Sequence, residues 1–112
     1  MIQEMNEFEY LVYRVTGVSE MHNPKDFIKK HGLNTKTRVR DIVILRQELM
    51  FRIRNRTKLS LESVGKLFNR KHCGVIHSVK TVKDMRKYND QMYKEIIEKY
   101  RDELNELDYN LL

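Results

Sequence analysis

Within eight positions the chain sets Arg70, Lys71, His72, Cys73 and His77, five side chains able to hold an anion, a metal ion or a proton. Each chemistry makes its own demand on spacing. A closed zinc site needs four soft or borderline ligands. His72, Cys73 and His77 supply three in a single short run, and the other histidines, His22 and His31, lie far away in sequence. No metal is expected. A nucleophilic cysteine needs a base and a group that orients the base, and no motif around Cys73 supplies them. The third chemistry fits better. Arg70, Lys71 and His72 stand just ahead of an apolar rhythm, Val75, Ile76, Val79 and Val82, which reads as a helix whose basic start faces a polyanion. His77, beside Val75 and Ile76, reads as a packed histidine on the apolar side.

Charge distribution supports that third reading. The net charge of +6 is unevenly placed. Residues 1–35 carry net −1, residues 36–87 net +11 and residues 88–112 net −4. A basic block between acidic flanks is the electrostatic footprint that recruits nucleic acid. At 112 residues the chain has room for one domain with a modest core. The lone Cys73 allows no internal disulfide, which suits a reducing cytoplasm. No apolar run approaches the roughly 20 residues that span a bilayer, and MIQEMNEFEY is acidic where a secretory signal would be basic. Cytoplasmic localisation, with no membrane partner, is the expectation.

The elements that must position the basic cluster are helices. Glycine and proline are scarce, and no strand-like alternation occurs. Phe8, Leu11, Val12 and Val15 predict a first helix over 4–16, with Gly17 as its stop. Asn23, Pro24 and Asp26 predict a second start, ending near Gly32. A long helix is expected from Thr37 to Thr57, capped by Asn34 or Thr35, with Val39, Ile42, Val43, Leu49, Met50 and Ile53 as its apolar stripe. Ser60 caps a short helix with Leu61, Val64, Leu67 and Phe68 inward. Asn69 to Lys71 turn the chain into a helix over 72–87. Asn89 or Asp90 begins a last, acidic helix carrying Met92, Tyr93, Ile96, Ile97, Tyr100 and Leu104. The expected fold is all-α, of about six helices. Residues 1–35 form an N-terminal segment packing on the core, 36–88 the basic region and 89–112 the acidic amphipathic helix.

Two helices joined by a three-residue turn, the second entered through Arg70, Lys71 and His72, form a helix-turn-helix pattern. The residues in and before it resemble a known family. Residues 37–87 resemble the C-terminal duplex-DNA-binding domain, domain IV, of the bacterial replication initiator DnaA. "LRQELM" resembles the family's Arg-Gln step, placing it at Arg46 and Gln47. "LSLESVGKLF" resembles the first helix of its helix-turn-helix, with the glycine at Gly65. "RKHCGVIHSV" resembles the signature R-D-H-[ST]-T-V-[LI]-H-A. The match covers about half the chain.

The resemblance implies double-stranded DNA as partner, with Arg70, Lys71, His72, Cys73 and Gly74 at the head of the recognition helix. Arg46 and Gln47 would reach the duplex from the long helix, and Arg38 and Arg40 would contact phosphate or the minor groove. Lys80 and Lys83 would position phosphates. Three departures imply a different site preference. Asn69 stands alone where the family has Gly-Gly, Lys71 replaces an acid, and Cys73 and Gly74 replace a hydroxyl pair. The chain contains no G-x-x-x-x-G-K-[ST], so neither nucleotide nor cofactor is expected. A non-enzymatic regulator of replication or transcription is therefore expected, on the bacterial nucleoid or encoded by a mobile element or phage. The alternative is a protein-interaction module that keeps the scaffold without DNA binding. The acidic last helix offers a surface for a protein partner.

Overall fold

The structure, a computed structural model, describes residues 23–112. The expected helix over 4–16, its stop at Gly17, and His22 lie outside the described residues. Five α-helices and a closing 3-10 turn follow one another, with no strand among the described residues. They are α1 (Pro24–Lys30), α2 (Arg40–Arg56), α3 (Leu61–Leu67), α4 (His72–Lys87), α5 (Gln91–Glu106) and the 3-10 turn Tyr109–Leu111.

Three of the helix starts follow from side-chain caps. Asn23 accepts from the Lys25 amide ahead of Pro24. Ser60 accepts from Ser63 and Asp90 from Tyr93. α2 begins three residues later than the spacing predicts, and neither Asn34 nor Thr35 caps it. The threonines explain the delay, because a hydroxyl that bonds nearby backbone offers the chain an alternative to helix. Thr35 Oγ1 donates to the Gly32 carbonyl at 2.6 Å. The Val39 amide donates to Thr37 Oγ1 at 3.3 Å. Residues 36–39 are thereby held out of the helix.

The buried stripe of α2 is also rotated from the expected one. Leu49, Met50 and Ile53 are buried as expected, joined by Ile44 and Leu45. Val39 is 61% exposed, and Ile42 and Val43 are half-buried. The main core gathers Phe27, Ile28 and Leu33 of the N-terminal turn region onto Leu45, Leu49 and Ile53, with Val64, Phe68, Val75 and Leu104 closing it. A smaller cluster of Ile44, Val82, Tyr93 and Ile96 joins α2, α4 and α5. On α5 the expected Tyr93, Ile96 and Leu104 point inward, whereas Met92 is exposed. His31 ties α1 to α5, with its ring against Phe27 and Tyr100 and Nε2 at 2.9 Å from Glu103 Oε2.

The side chain of Glu48 is fully buried. A carboxylate taken out of water must be paired and hydrogen-bonded or it becomes neutral. Here three elements supply the donors. Arg52 Nε reaches Oε2 at 2.8 Å, Arg86 Nη2 reaches the same oxygen at 2.8 Å, and the Tyr93 hydroxyl donates to Oε1. Arg86 Nε also donates to the Tyr93 hydroxyl, and its guanidinium lies 4.4 Å from the Phe51 ring centroid. One carboxylate therefore fixes α2, α4 and α5 to one another.

Burial, and then the hydrogen bond to Glu48, push the Tyr93 phenol up from 10.0 to about 12. The folded state holds this phenol neutral, so its contribution is complete below pH 10 and is lost as pH rises from 10 towards 12. Denaturant midpoints on both sides of pH 10 should show wild type losing more stability across that window than Tyr93→Phe, whose lysines titrate identically. Parallel losses in the two proteins would contradict the burial and bonding of this hydroxyl.

Candidate nucleic-acid interface

The turn between α3 and α4 is built on backbone. α3 ends at Leu67, and the Arg70 amide returns to the Gly65 carbonyl at 2.8 Å. A Cβ at Gly65 would stand 2.5 Å from the Arg70 carbonyl oxygen, so only glycine allows this approach. Between them Asn69 takes φ +56°. That is the left-handed conformation usually given to glycine and tolerated by asparagine. One asparagine therefore performs the turn, and α4 starts at His72 with Lys71 at its N-cap position and no side-chain cap.

α4 turns Val75, Ser78 and Val82 inward. Its exposed arc carries Lys71, His72, Cys73, Ile76, His77, Lys80, Lys83 and Lys87, with one acid, Asp84. Two expectations are corrected here. Ile76 is 49% exposed and His77 is exposed, not packed on the apolar side. Helical geometry gives the reason. Successive residues are about 100° apart, so a face centred on Val75 and Val82 excludes residues 76 and 77. The structure thus adds both to the outward face of α4.

Arg46, Gln47, Met50, Arg70, Gly74, His77 and Ser78 line a cleft of about 200 Å³ between α2 and the first turns of α4. Two of its cations meet at one backbone oxygen. The Thr35 carbonyl accepts from Arg46 Nη1 at 3.2 Å and from Arg70 Nη2 at 2.6 Å. Arg70 Nη1 also reaches the Phe68 and Asn69 carbonyls, each at 3.2 Å. Arg46 is only 9% exposed. Burial, and then the neighbouring Arg70 charge, lower its pKa. Two guanidiniums held against one neutral carbonyl form a positive site that an anion would relieve. Gly74 is half-buried at the edge of this cleft, where an added Cβ would meet only the Arg70 Cβ, at 3.7 Å.

Arg38 and Arg40 lie at the other end of α4, exposed, around a second cleft with Val43, Ile44, Met85, Asp90 and Met92. Arg40 Nη1 rests 2.8 Å from Met92 Sδ. The remaining cations of α2 are engaged elsewhere. Arg52 is paired with Glu48, Arg54 donates to the Leu59 carbonyl, and Arg56 lies over the Tyr109 ring. By contrast, Lys71, Lys80 and Lys83 have no ion-pair partner among the described residues.

Among the described residues no group of three or more His, Cys, Asp and Glu side chains is placed to hold a metal ion. None of their helices is long and apolar enough to cross a membrane. The outward side of α5 is a solvated row of both signs, Gln91, Lys94, Glu95, Glu98 and Lys99.

Comparison with known proteins points the same way as the geometry. The family described as bacterial DnaA protein helix-turn-helix matches residues 27–82, half of the chain. A chromosomal replication initiator protein DnaA from Oleidesulfovibrio alaskensis is 44% identical over 55 residues. That stretch is 49% of this chain and 12% of the relative's length. No solved structure matches.

The two glycines of the helix-turn-helix should respond to alanine with opposite signs. Gly65→Ala forces the Arg70 carbonyl aside and should lower unfolding free energy by about 2 kcal/mol or more. Gly74→Ala meets no close neighbour and removes a flexible residue from a helix, which should raise it by about 0.5–1 kcal/mol. Urea denaturation of the two variants checks both signs, and a neutral Gly65→Ala would contradict the close turn.

Proposed function

The chain belongs to the bacterial DnaA helix-turn-helix family, and from that premise we propose that it binds double-stranded DNA sequence-selectively, with α4 seated in the major groove. The observation that carries this reading is the outward arc of α4. It is basic and without ion pairs among the described residues, while the arginines facing other directions are tied to carboxylate, carbonyl or ring. Such an arc suits a surface of phosphates and base edges.

The roles divide by chemistry. His72 and Cys73, at the head of α4, are placed to meet base edges, as is Lys71 in place of the family's acid. Lys80 and Lys83 are flexible point charges that position phosphates without reading sequence. Arg46, Gln47, Arg70 and His77 form the positive cleft for a backbone phosphate beside the start of α4. Arg38 and Arg40, beyond its other end, serve a second phosphate or the adjoining minor groove. Gly74 sits at the edge of the phosphate cleft and reads no base, so the preference differs from the initiator's own box. The proposed role is non-catalytic regulation of replication or transcription on bacterial, mobile-element or phage DNA in the cytoplasm.

Affinity that rests on phosphate contacts falls steeply with salt, with a log–log slope of about −0.9 per phosphate neutralised. Titration of a random duplex over a range of salt should give a slope of several such units. Lys80→Ala and Lys83→Ala should weaken all duplexes alike, each flattening the slope by roughly one contact. His72→Ala should relax choice at particular base pairs by about 1–3 kcal/mol. A flat salt response, or lysine variants that change sequence choice while His72→Ala does not, would overturn the placement of α4.

A further inference from the structure

The cleft between the approach to α2 and the corner where α4 meets α5 differs in kind from the outward arc of α4. It holds about 350 Å³. Its floor is apolar, with Val43 and Ile44 of α2, Met85 of α4 and Met92 of α5. Five large apolar side chains are exposed among the described residues, and three of them line this cleft or adjoin its lining in sequence. Met92 lines it at 43% exposure, Val39 stands between Arg38 and Arg40, and Tyr88, 73% exposed, stands between Met85 and Asp90. Tyrosine, methionine and arginine are enriched where proteins meet one another. A duplex presents phosphates and base edges, which leave such a floor unused. The rim carries cations without counter-ions. Arg38 and Arg40 have no ion pair among the described residues. Arg40 Nη1 rests instead on Met92 Sδ at 2.8 Å, a weak acceptor for a charged donor. The one acid, Asp90, gives a carboxylate oxygen to the Tyr93 amide as the N-cap of α5.

We propose that this cleft docks an acidic amphipathic helix of a partner protein. The inference goes beyond DNA binding and does not rest on it. Charge complementarity sets the sign of the partner. A carboxylate reaching Arg40 would replace a thioether contact with a charge-assisted and bidentate one. The form of the partner follows from what the surface lacks. No strand occurs among the described residues, so they offer an extended peptide no sheet edge to join. Docking of a helix into an apolar groove is the mode that suits this floor. The helix presents apolar residues at i, i+3 or i+4, and i+7 to the floor, and Asp or Glu beside them to the arginines. The unbranched side chains of Met85 and Met92 adapt to apolar residues of varied shape. A partner held there takes Arg38 and Arg40 away from DNA.

The test needs no DNA. The full chain is used to enrich peptides of about 14 residues, roughly four helical turns, from a random display library. Enriched peptides should share the apolar spacing above and be net acidic. By fluorescence anisotropy, Arg38→Glu and Arg40→Glu should each weaken them at least about tenfold, the value of one charged hydrogen bond. Met92→Ser should weaken them at least about fourfold, the value of one buried methylene. All three change exposed side chains, and thermal denaturation checks that the fold is unchanged. Peptides without the pattern, or peptides that Lys80→Glu on the outward arc of α4 weakens as much as Arg40→Glu does, overturn the proposal. So do two other occupants. The chain's own residues 4–16 carry Phe8, Leu11, Val12 and Val15 with Glu4, Glu7 and Glu9, and as occupant they would let peptides bind only after all three acids are changed to Lys. A second copy of the chain would show as a dimer in sedimentation that Arg40→Glu dissociates. A library that yields no bound peptide overturns the proposal as well.

Discussion

Gly65 has no side chain, and the turn between α3 and α4 closes only because of that. The Arg70 carbonyl occupies the space that any Cβ would take. Everything proposed for the basic face depends on this approach. It sets the direction in which α4 leaves α3, and it brings the Arg70 side chain to the Thr35 carbonyl that Arg46 also reaches. The far end of α4 is held by a different device, the buried Glu48 carboxylate that Arg86 and Tyr93 address. α4 is pinned at its start by backbone and near its end by a buried ion network, so little ordering would oppose the proposed binding.

The same contacts sort the cations. The basic middle of the chain has net charge +11, but much of it is committed. Arg52 and Arg86 neutralise Glu48, Arg54 and Arg56 close the end of α2, and Arg46 and Arg70 crowd one carbonyl. Among the described residues Lys71, Lys80 and Lys83 of α4 keep no ion-pair partner. Counting charges along a sequence overstates a binding surface, because structural and surface arginines look alike there.

The helices and their caps were largely legible in the sequence. Asn23, Ser60 and Asp90 are local signals that act through bonds of two or three residues. The helix-turn-helix was legible as well, through the spacing of its apolar residues and the basic triplet entering α4. Two features were not. The spacing predicts too early a start for α2, because the Thr35 hydroxyl bonds the preceding turn and Thr37 Oγ1 accepts from the Val39 amide. Adjacency to Val75 suggests that Ile76 and His77 face inward, but a helix separates adjacent residues by about 100°. Others depend on contacts that no local pattern carries. Glu48 meets Arg86 and Tyr93 across 38 and 45 positions, and Arg70 meets Thr35 across 35. Asn69 was visible only as a shortened turn, and its left-handed backbone supplies what the missing glycine pair would have given.

The most direct measurement is a map of the bound surface. Amide resonances of the isotope-labelled protein, followed while a duplex is titrated in, report which residues change environment. The account predicts the largest changes along the outward arc of α4 from Lys71 to Lys83, in the cleft of Gln47 and Arg70, and at Arg38 to Arg40, with the outward row of α5 unaffected. Changes centred on α5 that spare α4, or no changes at low salt, would contradict it.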